Sequence, residues 1–96
     1  MATLVPPDGP VREVYPANGV TFTLEELQGY VGGYIEAVRV SATRWLIINE
    51  DGKGLGLPVN DGANLYLVAA GRRLHVNDYI VGPAVICTTE EADGET

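Results

Sequence analysis

The feature that most constrains the fold is the apolar run from Trp45 to Ile48, which contains no polar residue. A strand with one exposed face alternates apolar and polar side chains, whereas a strand covered on both faces is apolar throughout. A short piece of buried helix has the same composition, and periodicity over so few residues does not separate the two. We favour a central strand over residues 44–49 that is covered on both faces.

The chain has 96 residues, of which 46% are hydrophobic and 20% are charged. This length fits one domain with a modest core, and the composition differs from that of disordered chains. Prolines in residues 1–10 predict an irregular lead-in, and the acidic residues 90–96 predict a disordered tail. The single folded domain is therefore expected over residues 11–89.

Two short helices are predicted, one before the central strand and one after it along the chain. Residues 23–26 match a capping box, and Gly32 is typical of a helix end, so the first helix is expected over residues 24–31. The second is predicted over residues 63–70, where Asn60 or Asp61 would cap it. A strand is the rival interpretation of this second segment, since it is also rich in residues that suit a sheet.

Further strands are predicted over residues 11–15, 34–40 and 79–88, the last interrupted at Gly82. Residues 49–54 form the clearest turn, and residues 72–78 are interpreted as a polar connection. Together these segments predict an α+β fold. We expect a small, mostly antiparallel sheet of about four strands, with one or two short helices on one face.

The formal net charge is -7, but four of the 13 acidic residues lie in residues 90–96, which leaves 9 acidic against 6 basic residues. Phosphate contacts need clustered Lys and Arg, and only Arg72 and Arg73 are adjacent. Direct binding of nucleic acid is therefore not expected. Because the tail carries more than half of the net negative charge, the charge does not indicate a protein that mimics nucleic acid.

Cysteine and histidine occur once each, at Cys87 and His75. One cysteine forms no intramolecular disulfide, and one Cys with one His does not complete a zinc site. No apolar run reaches the roughly 18 residues of a membrane-spanning helix. We expect a soluble, cytoplasmic protein with no metal, no cofactor and no membrane partner.

Glu36 is the most informative polar residue, because a strand places it on one face with Tyr34 and Val38. Such a carboxylate meets a partner, of which Arg44 is one candidate, or it faces solvent or a ligand. A structural anchor or an exposed edge residue is the plainer interpretation, and ligand recognition is the functional one. Asn60 poses a similar choice between capping a helix and contacting a ligand or a partner backbone.

The candidate ligand- or partner-binding residues are Glu36, Asn60, Tyr34, Trp45, Arg44 and Glu50. No nucleophile, base and orienting group occur together in a recognisable pattern. Cys87 lies in an apolar segment, where an inert core thiol is more common than a nucleophile. We therefore assign no catalytic residue and expect that the protein is not an enzyme.

Four sequence blocks carry a resemblance to a known family: GGYIE at 32–36, NEDGK at 49–53, LPVN at 57–60 and IVGPA at 80–84. In their order and spacing, residues 24–88 are similar to an uncharacterised domain family of bacteria and their phages, domain of unknown function 3846. The resemblance implies a small stand-alone protein with no established activity, often carried by phages or mobile elements. Pro83 stands where an acidic residue is expected, so a site that used that carboxylate would be altered here.

The leading hypothesis is a non-enzymatic interaction module, encoded by a phage, that binds a host protein in the host cytoplasm. Its surface would be an exposed sheet edge or the loops around Glu36, Glu50 and Asn60. The alternative is a protein that binds or sequesters a nucleotide-like small molecule. That ligand would stack on aromatic side chains, which are Tyr34, Trp45, Tyr66 and Tyr79. A hydrolase or transferase ranks last.

A homodimer is also expected. A small sheet domain that contains an apolar strand with two faces to cover can bury one face by pairing with a second copy. The sequence does not specify which strand or face would make that contact.

Overall fold

The structure is a computed structural model that describes residues 2–71 and 79–93. Within these residues the chain forms five strands and three helices. In chain order these are β1 (Ala2–Val5), β2 (Arg12–Val14), α1 (Leu24–Val31), β3 (Ile35–Arg39), β4 (Arg44–Asn49), α2 (Asp61–Ala69), β5 (Ala84–Thr88) and α3 (Thr89–Asp93).

The five strands make one sheet in the order β2-β1-β5-β4-β3, and every neighbouring pair is antiparallel. The α+β class is therefore confirmed, with five strands where about four were expected. The helix over residues 24–31 and the strand over residues 44–49 have the predicted bounds. The segment after Asn60 is a helix and not the rival strand.

Strand β4 is buried on both faces, as the apolar run predicts. Leu46 and Ile47 are both 0% exposed, and they point to opposite sides of the sheet. Ile47 joins a cluster with Leu27 of α1, whereas Leu46 joins a second cluster with Leu67 of α2. The expectation of helices on one face is wrong, because an apolar strand without alternation needs a helix on each side.

Helix α1 begins with the predicted capping box. The Thr23 hydroxyl accepts a hydrogen bond from the Glu26 N–H at 3.1 Å, and the Glu26 carboxylate accepts one from the Thr23 N–H at 2.9 Å. Backbone hydrogen bonds from Thr23 and Ala17 lower the pKa of Glu26. Gly32 ends the helix at φ 82°, a left-handed conformation that favours glycine.

Both predicted chain ends need correction. The lead-in over residues 1–10 contains β1, which pairs with β2 and with β5, so residues 2–5 belong to the sheet. The acidic tail over residues 90–96 contains part of α3, in which Glu91 and Ala92 are buried. Residues 94–96 lie outside the described residues, as does the predicted polar connection over 72–78.

Helix α3 begins with the same local signal as α1. The Thr88 hydroxyl accepts from the Glu91 N–H at 3.1 Å, and the Glu91 carboxylate accepts from the Thr88 N–H at 2.9 Å. This is a second capping box, and the sequence carries its Thr-x-x-Glu pattern over residues 88–91. The prediction of a disordered tail rested on the acidic residues of this segment and did not take the capping-box pattern into account.

The single cysteine lies in β5, where Cys87 is 2% exposed within the α1-side core. Burial, together with the negative charge of Glu91, raises the pKa of the Cys87 thiol from 9.0 to about 12. The thiolate is the reactive form of cysteine, and here it is disfavoured. Cys87 is therefore a core residue.

We predict that a thiol reagent at pH 8 does not label the folded protein within minutes and labels the chain quickly in denaturant. Because the folded pKa lies above the unfolded one, the thiol's contribution to stability is complete below about pH 9. It is lost as the pH rises toward 12. Absorbance of the released thiol product and unfolding curves between pH 8 and 11 measure these effects. Rapid labelling under native conditions would contradict the assignment.

Candidate functional site

A depression of about 430 Å³ opens where β4 ends and β3 begins. We name it the tyrosine pocket. It is lined by Gly33, Tyr34, Asn49, Glu50, Asp51 and Leu55. Its volume lies within the range that is usual for small-molecule sites, roughly 300 to 1,000 Å³.

The base of the tyrosine pocket is held by Asn49, which is buried. Its amide nitrogen Nδ2 donates to the carbonyl of Val31 at 3.1 Å, and its oxygen accepts from the Asp51 N–H at 2.8 Å. These two bonds tie the end of α1 to the turn after β4. A Cβ on Gly33 would lie 2.9 Å from the same Nδ2, so any larger residue here would displace the Asn49 amide from its hydrogen bonds.

The walls of the tyrosine pocket combine apolar and acidic groups. Tyr34 is 76% exposed and Leu55 is 59% exposed, and both side chains are large. Glu50 and Asp51 line the same pocket and are also exposed. An aromatic ring next to two carboxylates suits an organic cation or a Lys or Arg side chain.

Strand β3 lies at an edge of the described sheet. Two backbone hydrogen bonds, one at each end of β3, show which of its residues bond to β4. The Glu50 N–H donates to the Tyr34 carbonyl at 2.8 Å, and the Val40 N–H donates to the Arg44 carbonyl at 3.0 Å. Hydrogen-bonded pairs alternate along an antiparallel ladder, so residues 36 and 38 also bond to β4. The N–H and C=O groups of residues 35, 37 and 39 therefore point away from the sheet.

Three candidate residues lie along this edge and at its far end. Glu36 is exposed on the α2 side of β3, next to Val38. Arg44 is exposed at the start of β4. Trp45 is half-buried on the opposite face, where its ring lies 5.4 Å from the Arg39 guanidinium and its Nε1–H donates to the Thr89 hydroxyl at 3.2 Å.

Asn60 is fully buried and caps α2. Its oxygen accepts from the Ala63 N–H at 3.0 Å, and its Nδ2 donates to the carbonyls of Val5 at 2.9 Å and Gly82 at 2.8 Å. The side chain thereby joins the start of the helix to β1 and to the segment before β5. Each polar atom of this amide already has a partner inside the protein.

The structure brings Tyr34 and Glu50 together, with Glu36 along the same edge. It separates them from Trp45 and Arg44, which lie toward the other end of the strands, and from Asn60 in the core. Tyr66 packs against the α2-side core and the Tyr79 ring lies 4.7 Å from the Lys53 ammonium. The four aromatic residues proposed for stacking therefore do not line one cavity within the described ranges.

Four residues of the tyrosine pocket were not predicted as parts of a site: Gly33, Asn49, Asp51 and Leu55. The turn pattern Asn-Glu-Asp-Gly and the Gly-Gly pair were both recognised, but each was interpreted as local turn chemistry. Their meeting depends on the pairing of β3 with β4, which a local pattern does not reveal.

Within residues 2–71 and 79–93, no three His, Cys, Asp or Glu side chains are grouped so that they could hold a metal ion. In the same part of the chain, no helix has the length and apolar character to cross a membrane.

The fold and site define a small α+β domain with an open sheet edge and a pocket beside it. The chain belongs to the family described as Domain of unknown function (DUF3846), whose model matches residues 1–96. No curated protein and no solved structure matches the chain.

We predict that Asn60→Ala destabilises the protein by about 3 kcal/mol. The change removes a helix cap and the hydrogen bonds that Asn60 donates to two buried carbonyls. Tyr34→Ala is the matched comparison, and we expect a change within about 0.5 kcal/mol because the ring is exposed. Urea unfolding measures both variants, and equal destabilisation of the two would contradict the division between a core residue and a surface residue.

Proposed function

We propose that this protein is a non-enzymatic interaction module that binds an extended segment of another protein along β3. The observation that carries the proposal is the outward direction of the backbone groups of Ile35, Ala37 and Arg39. An extended segment can add a strand to such an edge, and its main-chain hydrogen bonds then supply affinity. The tyrosine pocket lies at the beginning of the same strand and supplies a place for a side chain.

The two edges of the sheet differ in a way that supports this assignment. Strand β2, at the other edge, has only three residues, whereas β3 has five. Short edge strands are one means by which proteins prevent unwanted pairing. The side chain of Ala37, at the centre of β3, is small and exposed, so a neighbouring backbone can approach it.

The proposal assigns no catalysis to the chain. The Cys87 thiol is buried and its pKa is raised to about 12, so this sulfur does not supply a nucleophile. The family resemblance adds the proposal that the gene is carried by a phage and that the partner is a host protein. We place the binding event in the cytoplasm, where a lone cysteine stays reduced.

We predict that Ala37→Pro abolishes partner binding and leaves the fold intact. Proline removes the N–H that points outward and spares the ladder with β4, which is where proline is tolerated in a sheet. Ala37→Thr keeps the N–H and is the matched control. The measurement is saturable capture of a protein from a lysate of the cells in which the chain acts, with each variant immobilised.

A partner that wild type and Ala37→Thr retain and that Ala37→Pro loses would support the proposal. An identical set of captured proteins for all three variants would refute the use of β3. Circular dichroism and thermal unfolding of each variant establish that the fold is kept.

The second candidate function is binding of a small nucleotide-like molecule. The volume of the tyrosine pocket and its exposed aromatic ring are the observations that favour it. Asn60 takes no part in this version, since its amide is used within the core.

For this second function, the expected result is a rise in the unfolding temperature with one member of a panel of nucleotides. A ligand at 100 times its dissociation constant adds about 2.7 kcal/mol of stability. Tyr34→Ala should remove the shift, whereas Tyr15→Ala, which changes an exposed tyrosine beside β2, should keep it. An unchanged unfolding temperature with every nucleotide would exclude this function for the panel tested.

A further inference from the structure

We infer that the segment bound by β3 runs antiparallel to it and carries one acidic and two basic side chains in a fixed order. This inference rests on the proposed function and names the chemistry of its partner. The acidic side chain lies opposite Arg39. The basic side chains lie opposite Glu36 and at the tyrosine pocket.

The direction follows from the sheet and from the backbone register. Every neighbouring pair of strands in the described sheet is antiparallel, and antiparallel pairing is the more stable per residue. Residues 35, 37 and 39 present both their N–H and C=O groups outward, which matches the hydrogen-bonded positions of an antiparallel partner. Three residues of the partner, at alternate positions, would each exchange two hydrogen bonds with β3.

The charges along the edge are complementary to a specific pattern. Glu36 and Arg39 are exposed and point to opposite faces of the sheet. Among the described residues neither forms an ion pair, and the Arg39 guanidinium lies 5.4 Å from the centroid of the Trp45 ring. Opposite charges directly across an antiparallel pair stabilise it, and like charges destabilise it.

The antiparallel register determines which residue of the partner lies opposite each charged residue of β3. If the first residue of the partner lies opposite Arg39, the fourth lies opposite Glu36 and the sixth lies opposite Tyr34. The fourth and sixth side chains then share the face of the sheet that carries Glu36 and Tyr34. An acidic residue at the first position is therefore complementary to Arg39. Basic residues at the fourth and sixth positions are complementary to Glu36 and to the tyrosine pocket.

The tyrosine pocket gives the sixth position its selectivity. A Lys or Arg side chain that enters beside Tyr34 comes near the negative charges of Glu50 and Asp51, which line the pocket with the aromatic residue. Leu55 covers the aliphatic part of such a side chain. An acidic side chain at this position would meet two like charges.

The test uses three synthetic peptides with blocked ends in titrations followed by amide NMR signals of the protein. The first has the order Glu-Val-Thr-Lys-Val-Arg, the second is its reverse, and the third exchanges the charges as Lys-Val-Thr-Glu-Val-Glu. We expect the first to bind at least about tenfold more tightly than the others, which is about 1.4 kcal/mol. Its addition should shift the signals of Ile35, Ala37 and Arg39.

Charge-reversed variants supply the reciprocal test. Glu36→Lys should reverse the preference at the fourth position, so that a peptide with Glu there binds more tightly than one with Lys. Glu13→Lys makes the same change on the exposed face of β2 and should leave binding of the first peptide unaltered. Damage to the fold would weaken the binding of every peptide. It would not make the Glu36→Lys variant bind the peptide with Glu at the fourth position more tightly.

Equal binding of all three peptides would overturn the inference and leave strand addition at β3 standing. Failure of the first peptide to perturb β3 at millimolar concentration would also overturn it. The proposed function is tested separately by the Ala37→Pro comparison, so the two failures can be told apart. A second copy of the chain on the same edge would appear as a sedimenting dimer whose β3 amides do not respond to peptide, and that result counts against the inference.

Discussion

The structure depends on the need to cover strand β4 on both faces. Its central residues are apolar on each side, and burial of one side chain such as Leu46 or Ile47 contributes about 1.5 to 3 kcal/mol. One helix cannot cover both faces of a sheet. The α1-side core therefore forms around Ile47 and the α2-side core around Leu46, and the two clusters fix where the helices lie.

This arrangement also determines which surface stays open. Strand β5 occupies one side of β4 and β3 occupies the other, and within residues 2–71 and 79–93 no further strand pairs with β3. Two buried asparagines hold the surroundings in place: Asn49 joins α1 to the turn beside the tyrosine pocket, and Asn60 joins α2 to β1 and to the residues before β5. Asn49 thus holds the base of the tyrosine pocket beside the open edge, whereas Asn60 holds α2 against the rest of the sheet.

Much of the fold was predictable where the signal is local, and much of the site was not. The capping box and Gly32 fixed the bounds of α1, because each acts within one helical turn. Strand β1 was missed because four residues before a proline-rich stretch become a strand only through distant partners in β2 and β5. Tyr34 and Glu50 were each identified as candidates, but their pocket arises from β3–β4 pairing. Asn60 was also identified as a candidate from the sequence. Only its burial in the structure shows that it caps α2 and does not face a ligand.

Amide hydrogen exchange along β3 in the free protein distinguishes an open strand edge from a covered one. We expect slow exchange at Glu36 and Val38, whose N–H groups bond to β4, and fast exchange at Ile35, Ala37 and Arg39, whose N–H groups face outward. The protein should be dilute in this measurement, so that any self-association is suppressed. Slow exchange at all five residues would mean that the edge is already covered, and β3 would then not be free to bind an extended segment.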